Sequence, residues 1–310
     1  MKKTLAVILA LVMVLALGVS AFAEEGKFLI GYNNYNMGTD FPRDLYAGIE
    51  AKCAEEGIEL MYAEAAGDPQ KMISNIDAFI TAGCDAIVDF NFNPEVGETL
   101  VSMCQRDNIP LFSIDCAYEG GYFFGVNNLV AGKTAGEYAA KITSENWDGE
   151  VDYLVLEYNA SAGPEVKQRL DGIIDGMKEQ NIELTEDQIV WIDFNNDVAK
   201  AQSTAADFLT AHPDCHKIFI AVGTDPAAAA VLAAVETAKR SDDVMIISHG
   251  GESVGIEMLK EDNCFMGTVC YDSGKYADDL VPAILGVLNG EDVPTETYSQ
   301  QYVMTRENLE

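Results

Sequence analysis

From Phe28 onward, short runs that are apolar throughout alternate with helical patterns of ten to fifteen residues, and few folds accept that rhythm. Phe28-Leu29-Ile30-Gly31-Tyr32 is the first run. A polar loop follows, then a helix over 43–56 that Gly57 closes, and a strand over 58–63. Asp68-Pro69 has the chemistry of an N-cap followed by Pro at the first helical position. Met72, Ile73, Ile76, Phe79 and Ile80 then recur at helical spacing as far as Ala82-Gly83. Ala86-Ile87-Val88 is a strand, 95–106 a helix and 109–114 a strand. A strand with one wet face alternates polar and apolar residues, so unbroken apolar runs mark a parallel sheet covered on both faces.

The same beat restarts after Val126, with a helix over 128–144 and a strand over 151–156. Helices over 164–180 and 197–211 flank a strand over 189–192, and strands over 217–222 and 244–247 enclose an Ala-rich helix that begins at Pro226. No low-complexity linker separates the halves. The expectation is an α/β chain of two doubly wound parallel-sheet lobes. Ligands on such sheets bind outside the carboxyl ends of the strands, so a cleft is expected where the two sets of ends face each other.

Ahead of this rhythm stands a segment of another kind. Lys2 and Lys3 precede an uncharged stretch from Leu5 to Leu17, and Ala21-Phe22-Ala23 places small residues just before Glu24-Glu25. That order predicts a secretory signal peptide over 1–23, cleaved after Ala23. A membrane anchor would need about 20 apolar residues. No cysteine adjoins the junction, so no lipoprotein attachment is expected. The mature chain is predicted to be exported to the periplasm or cell envelope. Losing Lys2 and Lys3 takes the formal charge two units below its −32. Such a charge repels polyanions, so neither nucleic acid nor an anionic membrane surface is an expected partner.

Seven cysteines cannot all pair within one chain. Cys264 and Cys270 sit in an apparent strand, roughly 20 Å apart at about 3.3 Å per residue, too far to bridge. The cysteines are read mostly as free packing residues. Enzyme signatures are sparse: no GxGxxG follows a strand, and GxxxxGK[ST] does not occur. His212, Cys215 and His216 could suggest a metal corner, but His212-Pro213-Asp214 reads better as the turn closing a helix. Neither a metal nor a cofactor is expected. His249-Gly250-Gly251 directly follows the strand over 244–247, where glycines permit close backbone approach to a ligand.

Several local sequences resemble type 1 periplasmic solute-binding proteins of the ribose/galactose class, the receptor components of ABC sugar importers. Asp40-Phe41 is similar to that family's first cleft loop, and Ala82-Gly83-Cys84-Asp85-Ala86-Ile87 to its entry into the third strand. Asn108-Ile109-Pro110-Leu111 through Ile114-Asp115 and Gly125-Val126-Asn127-Asn128 to Ala131-Gly132 are similar to later landmarks. Ala211-His212-Pro213-Asp214 and Thr268-Val269 continue the match.

The resemblance implies two lobes joined by a three-segment hinge, with crossings near Leu129, Tyr271 and Thr295. The lobes would be 24–129 with 272–296, and 130–271 with 297–310. It implies a monomeric receptor for a small sugar-like solute, without catalytic residues, that delivers its ligand to a membrane ABC permease. Phe41 falls at a position that stacks on a sugar ring, Asp115 at a carboxylate that receives hydroxyls, and Asn91 at a polar loop position. Lys167 lies where the family presents an Arg, ahead of Arg169 and Gly172. Thr224 stands with Asp225 at an "ND" pair, His249 in the loop after the strand over 244–247, and Tyr271 at the last crossover. Three positions depart from the pattern: Cys116 replaces an Arg, Gly250 an Asp and Asn196 a stacking aromatic. Losing the Arg and Asp removes a bidentate donor and a strong acceptor, which leaves the particular sugar open. The competing expectation is an exported α/β hydrolase or isomerase acting on a carbohydrate, with Asp115 and His249 as an acid–base pair.

Overall fold

The computed structural model of the chain describes residues 28–91 and 94–309, so the signal-peptide expectation lies outside the described residues. Two six-stranded sheets organise them. The first contains β1 (Leu29–Asn34), β2 (Glu59–Glu64), β3 (Ala86–Phe90), β4 (Leu111–Ile114), β5 (Tyr122–Gly125) and β11 (Glu296–Tyr298), in the order β11-β5-β4-β3-β1-β2. The second contains β6 (Tyr153–Tyr158), β7 (Ile189–Asp193), β8 (Ile218–Val222), β9 (Val244–Gly250), β10 (Phe265–Cys270) and β12 (Tyr302–Met304), in the order β12-β10-β9-β8-β6-β7. Neighbouring strands are parallel, except that β12 runs antiparallel to β10.

Helices cover both faces of each sheet, as the apolar strands require. In the first lobe, α1 (Asp40–Glu55) and α9 (Tyr276–Leu288) pack Leu45, Ile49 and Leu280 against Ile30, Val88 and Phe90. On the opposite face α2 (Pro69–Ala82) and α3 (Pro94–Arg106) bring Met72, Ile76, Phe79 and Leu100 onto Ile87 and Leu111. Each such side chain contributes about 1.5–3 kcal/mol when fully buried. The termini of α2 follow its sequence: the Asp68 carboxylate accepts the Gln70 N–H at 2.8 Å, and Gly83 closes the helix in the left-handed conformation.

In the second lobe, α4 (Asn128–Trp147) and α5 (Gly163–Glu179) lie on one face of the sheet. The other face carries α6 (Val198–Ala211) and α7 (Asp225–Ala238), with α8 (Ser253–Lys260) packed beside α7 and β10. The α4–α5 pair approaches backbone to backbone. A Cβ at Gly132 would sit 2.2 Å from the Arg169 carbonyl oxygen, and one at Gly172 would sit 2.4 Å from that of Leu129. All seven cysteines are free, and five of them are buried.

Among the described residues the chain passes between the sheets at 126–127, at 271–275 and at 299–301. The first two crossings adjoin Leu129 and Tyr271. The third lies beyond Thr295, because Glu296–Tyr298 still pair with β5 in register Glu296↔Phe123 to Tyr298↔Gly125. Strand β9 also extends to Gly250, so Ser248 and His249 are strand residues rather than loop residues.

Candidate ligand-binding cleft

The carboxyl ends of the two sheets meet. Asp40 at the start of α1, just past β1, hydrogen-bonds Ser253 at the start of α8, just past β9. Between the lobes lies a cavity of about 390 Å³ that Phe41, Asp44, Gly250, Glu252, Ser273 and Tyr302 help to line. Of the residues read from sequence, Phe41 lines this cavity; Asp115, His249 and Tyr271 stand in a separate cluster beside the first two crossings.

Asp115 directly follows β4 and lies in the left-handed region, with φ 57°, a conformation Asp tolerates better than most residues. This turns its carboxylate back onto β5, where it accepts the Val126 N–H at 2.8 Å. Gly125 makes room, since a Cβ there would lie 2.2 Å from Asp115 Oδ1. Burial raises the Asp115 pKa to about 6, partly opposed by the Val126 hydrogen bond and by the positive charge of Arg169. Phe41 belongs to the first turn of α1 rather than to a preceding loop. Its half-buried ring packs on Phe90 at 5.6 Å and meets Tyr276 edge-on at 5.7 Å. One side of that ring therefore serves the core.

Asn91 is fully buried and takes part in a network beneath the cleft end of the first sheet. The Asp89 carboxylate accepts from Asn91, from Asn33 Nδ2 at 2.6 Å and from the Tyr118 hydroxyl at 2.9 Å. Asn75 Nδ2 donates to Asn33 Oδ1 at 2.7 Å. These bonds tie the ends of β1 and β3 to α2.

On the second lobe the central residue is Arg169, which the sequence match passed over in favour of Lys167. Arg169 donates through Nε and Nη2 to Asn128 Oδ1 at 3.0 and 2.8 Å, and through Nη1 to the Gly223 carbonyl at 3.3 Å. Its guanidinium also lies over the Tyr271 ring. The Tyr271 hydroxyl meets His249 Nδ1 at 2.8 Å. Burial, with the neighbouring Arg169 charge, pushes the His249 pKa well below its usual value and keeps the ring neutral. His249 Nε2 is buried without a hydrogen-bond partner. Thr224 is half-buried at the N-cap of α7, next to the Gly223 carbonyl that Arg169 holds. Lys167 is drawn elsewhere: it pairs with Asp171 at 2.6 Å and lies 3.5 Å from the Trp191 ring centroid. Residues two apart on a helix do not share a face, so Lys167 and Arg169 separate. The signal for Arg169 was its i, i+3, i+7 alignment with Gly172 and Gly176, the face that packs on α4.

The departures have physical causes. Gly250 has φ 143°, and the space a Cβ would enter is occupied by Asp225, whose Oδ2 would lie 3.1 Å away. An aspartate does not fit there. Asp225 is itself buried; it accepts from Ser248, from Thr268 Oγ1 at 2.7 Å and from the Glu252 N–H at 2.7 Å. It therefore shapes the turn after β9. The imagined acid–base pair finds no support either, since Val126 holds Asp115 and Tyr271 holds His249 Nδ1. Among the described residues no three His, Cys, Asp or Glu side chains converge as metal ligands.

Two α/β lobes with facing strand ends and a polar cluster at the crossings define a two-lobed solute-receptor architecture. The periplasmic binding protein domain matches residues 30–292, and the chain belongs to that family. It is 24% identical over 273 residues to the ribose import binding protein RbsB of Bacillus subtilis (strain 168), covering 84% of this chain and 85% of that protein. An ABC transporter periplasmic solute-binding protein from Actinobacillus succinogenes 130z, solved with bound D-allose, superposes with a TM-score of 0.77 at 17% identity, over 91% of this chain and 98% of that one. A solute-binding protein from Bacillus halodurans C-125 with bound myo-inositol gives a TM-score of 0.76 at 18% identity, over 93% and 97%.

Proposed function

We propose that the chain is an exported receptor of an ABC importer that closes on a small polyhydroxylated ligand, a sugar or sugar-like solute, and delivers it unchanged to a membrane permease. The observation that carries this is the polar cluster at the crossings. Asp115 from the first lobe supplies an acceptor, while Arg169, Tyr271 and His249 from the second supply donors and apolar faces. Carbohydrates present both kinds of surface, hydroxyls around the ring and C–H groups on its faces, and such sites combine aromatic walls with a few fixed polar groups. The relatives solved with D-allose and myo-inositol hold ligands of this class.

Closure follows from the three crossings: chain segments running side by side permit bending while restricting twist. The ligand shifts the lobes toward the closed state only by its differential affinity for that state. In this proposal Phe41, Asn91, Asp115, Thr224, His249 and Tyr271 form or border the site, with Arg169 in the place that the resemblance gave to Lys167. The mature chain starts after Ala23 and acts as a monomer. Among the described residues no helix is long and apolar enough to cross a membrane, which fits a receptor that meets its permease from outside.

Thermal-shift screening of the mature chain against monosaccharides, polyols and nucleosides tests this. A ligand at about 1,000 times its Kd stabilises by about 4 kcal/mol, roughly 8–16 °C for lobes of this size. A hit recovered chemically unchanged supports the proposal, and a hit converted to product contradicts it.

A further inference from the structure

A carboxylate of the first lobe caps a helix of the second. Asp40 accepts the Ser253 backbone N–H at 3.1 Å and also accepts the Ser253 hydroxyl, across 213 residues of sequence. Ser253 is the first residue of α8, and the N-cap residue Glu252 makes no side-chain capping bond of its own. The first N–H groups of a helix lack intrahelical partners, and a carboxylate placed there also gains from the helix dipole. Both oxygens of Asp40 are engaged, one by Ser253 and the other by Arg43. The contact with Ser253 is the largest influence holding the Asp40 pKa below its ordinary value.

Most helix caps come from the residue next to the helix. This one comes from the other lobe, so it exists only while the lobes are together. We infer that Asp40 is a positioning residue for closure: its carboxylate latches onto α8 and raises the closed fraction of the receptor, and with it the apparent affinity, while both its oxygens are already occupied. The latch works against like charges, because Asp44 on α1 and Glu252 and Asp225 on the other lobe stand close enough to disturb one another's ionisation. Arg43 offsets that repulsion from the Asp40 side.

The inference rests on the proposed closure, but its test uses no ligand, so a failed ligand screen and a failed latch are separate results. Ligand-free mature wild type, Asp40→Ala, Ser253→Ala and the double variant are compared by hydrogen exchange at the start of α8 and by small-angle scattering. Melting temperatures check the folding of each, and Asp40→Asn stands in for any variant that does not fold. The latch predicts exchange at Ser253 on the order of 5-fold faster in Asp40→Ala, the scale of a lost cap, together with a larger radius of gyration. It also predicts that the double variant goes little further than Asp40→Ala alone, as expected of contacting residues. Faster exchange at an unchanged radius would make the contact a fixed cap with no part in closure and overturn the inference. Unchanged exchange would show that the contact does not form, and would overturn it equally.

Discussion

The guanidinium of Arg169 lies over the ring of Tyr271, its central carbon 5.2 Å from the ring centroid. Tyr271 sits at a crossing between lobes and Arg169 on α5, and Asn128 at the start of α4 fixes the Arg169 head through two donors. A planar fork held on one side by an amide oxygen and on another by an aromatic face is preorganised, so little side-chain freedom is lost when it meets a ligand. Three consequences for the site and one for the second-lobe core can be measured.

Arg169→Lys is expected to weaken ligand binding by about 1.5–3 kcal/mol, the scale for a hydrogen bond to a charged group. Lysine keeps the charge but loses the fork and the stacking. Lys167→Ala is expected to leave affinity nearly unchanged, because Lys167 is occupied by Asp171 and Trp191. Titration calorimetry on both variants checks the ranking, and the reverse ranking would return the site to Lys167.

Asp115 gives binding a pH dependence. Its carboxyl titrates at about 6, and only the ionised form accepts hydroxyls with charge-assisted strength. Affinity is therefore expected to hold above pH 6 and to fall as pH drops through that value. Asp115→Asn is expected to bind more weakly at neutral pH and to show a flat profile between pH 5 and about 7. A wild-type affinity that does not change across that interval would remove Asp115 from the site.

Glu157 on β6 sets a stability slope. It is buried among the second-lobe helices, neither carboxyl oxygen has a hydrogen bond of normal geometry, and Thr204 nearby only partly offsets the burial that raises its pKa from 4.5 to about 8. The folded chain therefore holds a proton that the unfolded chain releases between those values. Stability is expected to fall as pH rises through that window, by about 1.4 kcal/mol per pH unit at most, and to level off above pH 8. Glu157→Gln removes this contribution and is expected to be the more stable form at pH 9. Denaturant titrations at several pH values measure it, and parallel curves for the two proteins would contradict it.

Gly172→Ala is expected to cost about 1–3 kcal/mol, the range for overpacking a close contact, because its Cβ would meet the Leu129 carbonyl at 2.4 Å. It also pushes α5 away from α4 and so loosens Arg169 from Asn128. Reduced affinity together with reduced melting temperature is the expected pair of results. Lost stability at unchanged affinity would separate Arg169 from the helix contact.

The alternation of strands and helices was legible because packing on both faces of a parallel sheet leaves a strong sequence pattern. Asp68-Pro69 and Gly83 marked the ends of α2 through chemistry confined to the backbone around them. Strand β5 was not legible: Tyr122–Gly125 is four residues long, and its pairing with β4 and β11 comes from segments distant in sequence. Strands β11 and β12, three residues each, fail for the same reason, which also misplaced the third crossing. Of the residues proposed for the site, Asp115 has a place directly after an apolar run that the sequence displays, whereas Tyr271 was implied only by the family resemblance. The difference between Lys167 and Arg169 depends on helix rotation, which the glycine stripe of α5 sets through contact with α4. The change of role at Asp225 depends on the φ of Gly250, and a sequence does not display that angle.

Closure of the two lobes on a small ligand is measured by small-angle scattering of the mature chain with and without a saturating monosaccharide or polyol found in the thermal screen. A smaller radius of gyration is expected on saturation, reached at one ligand per chain. Saturation at an unchanged radius would contradict closure between the lobes.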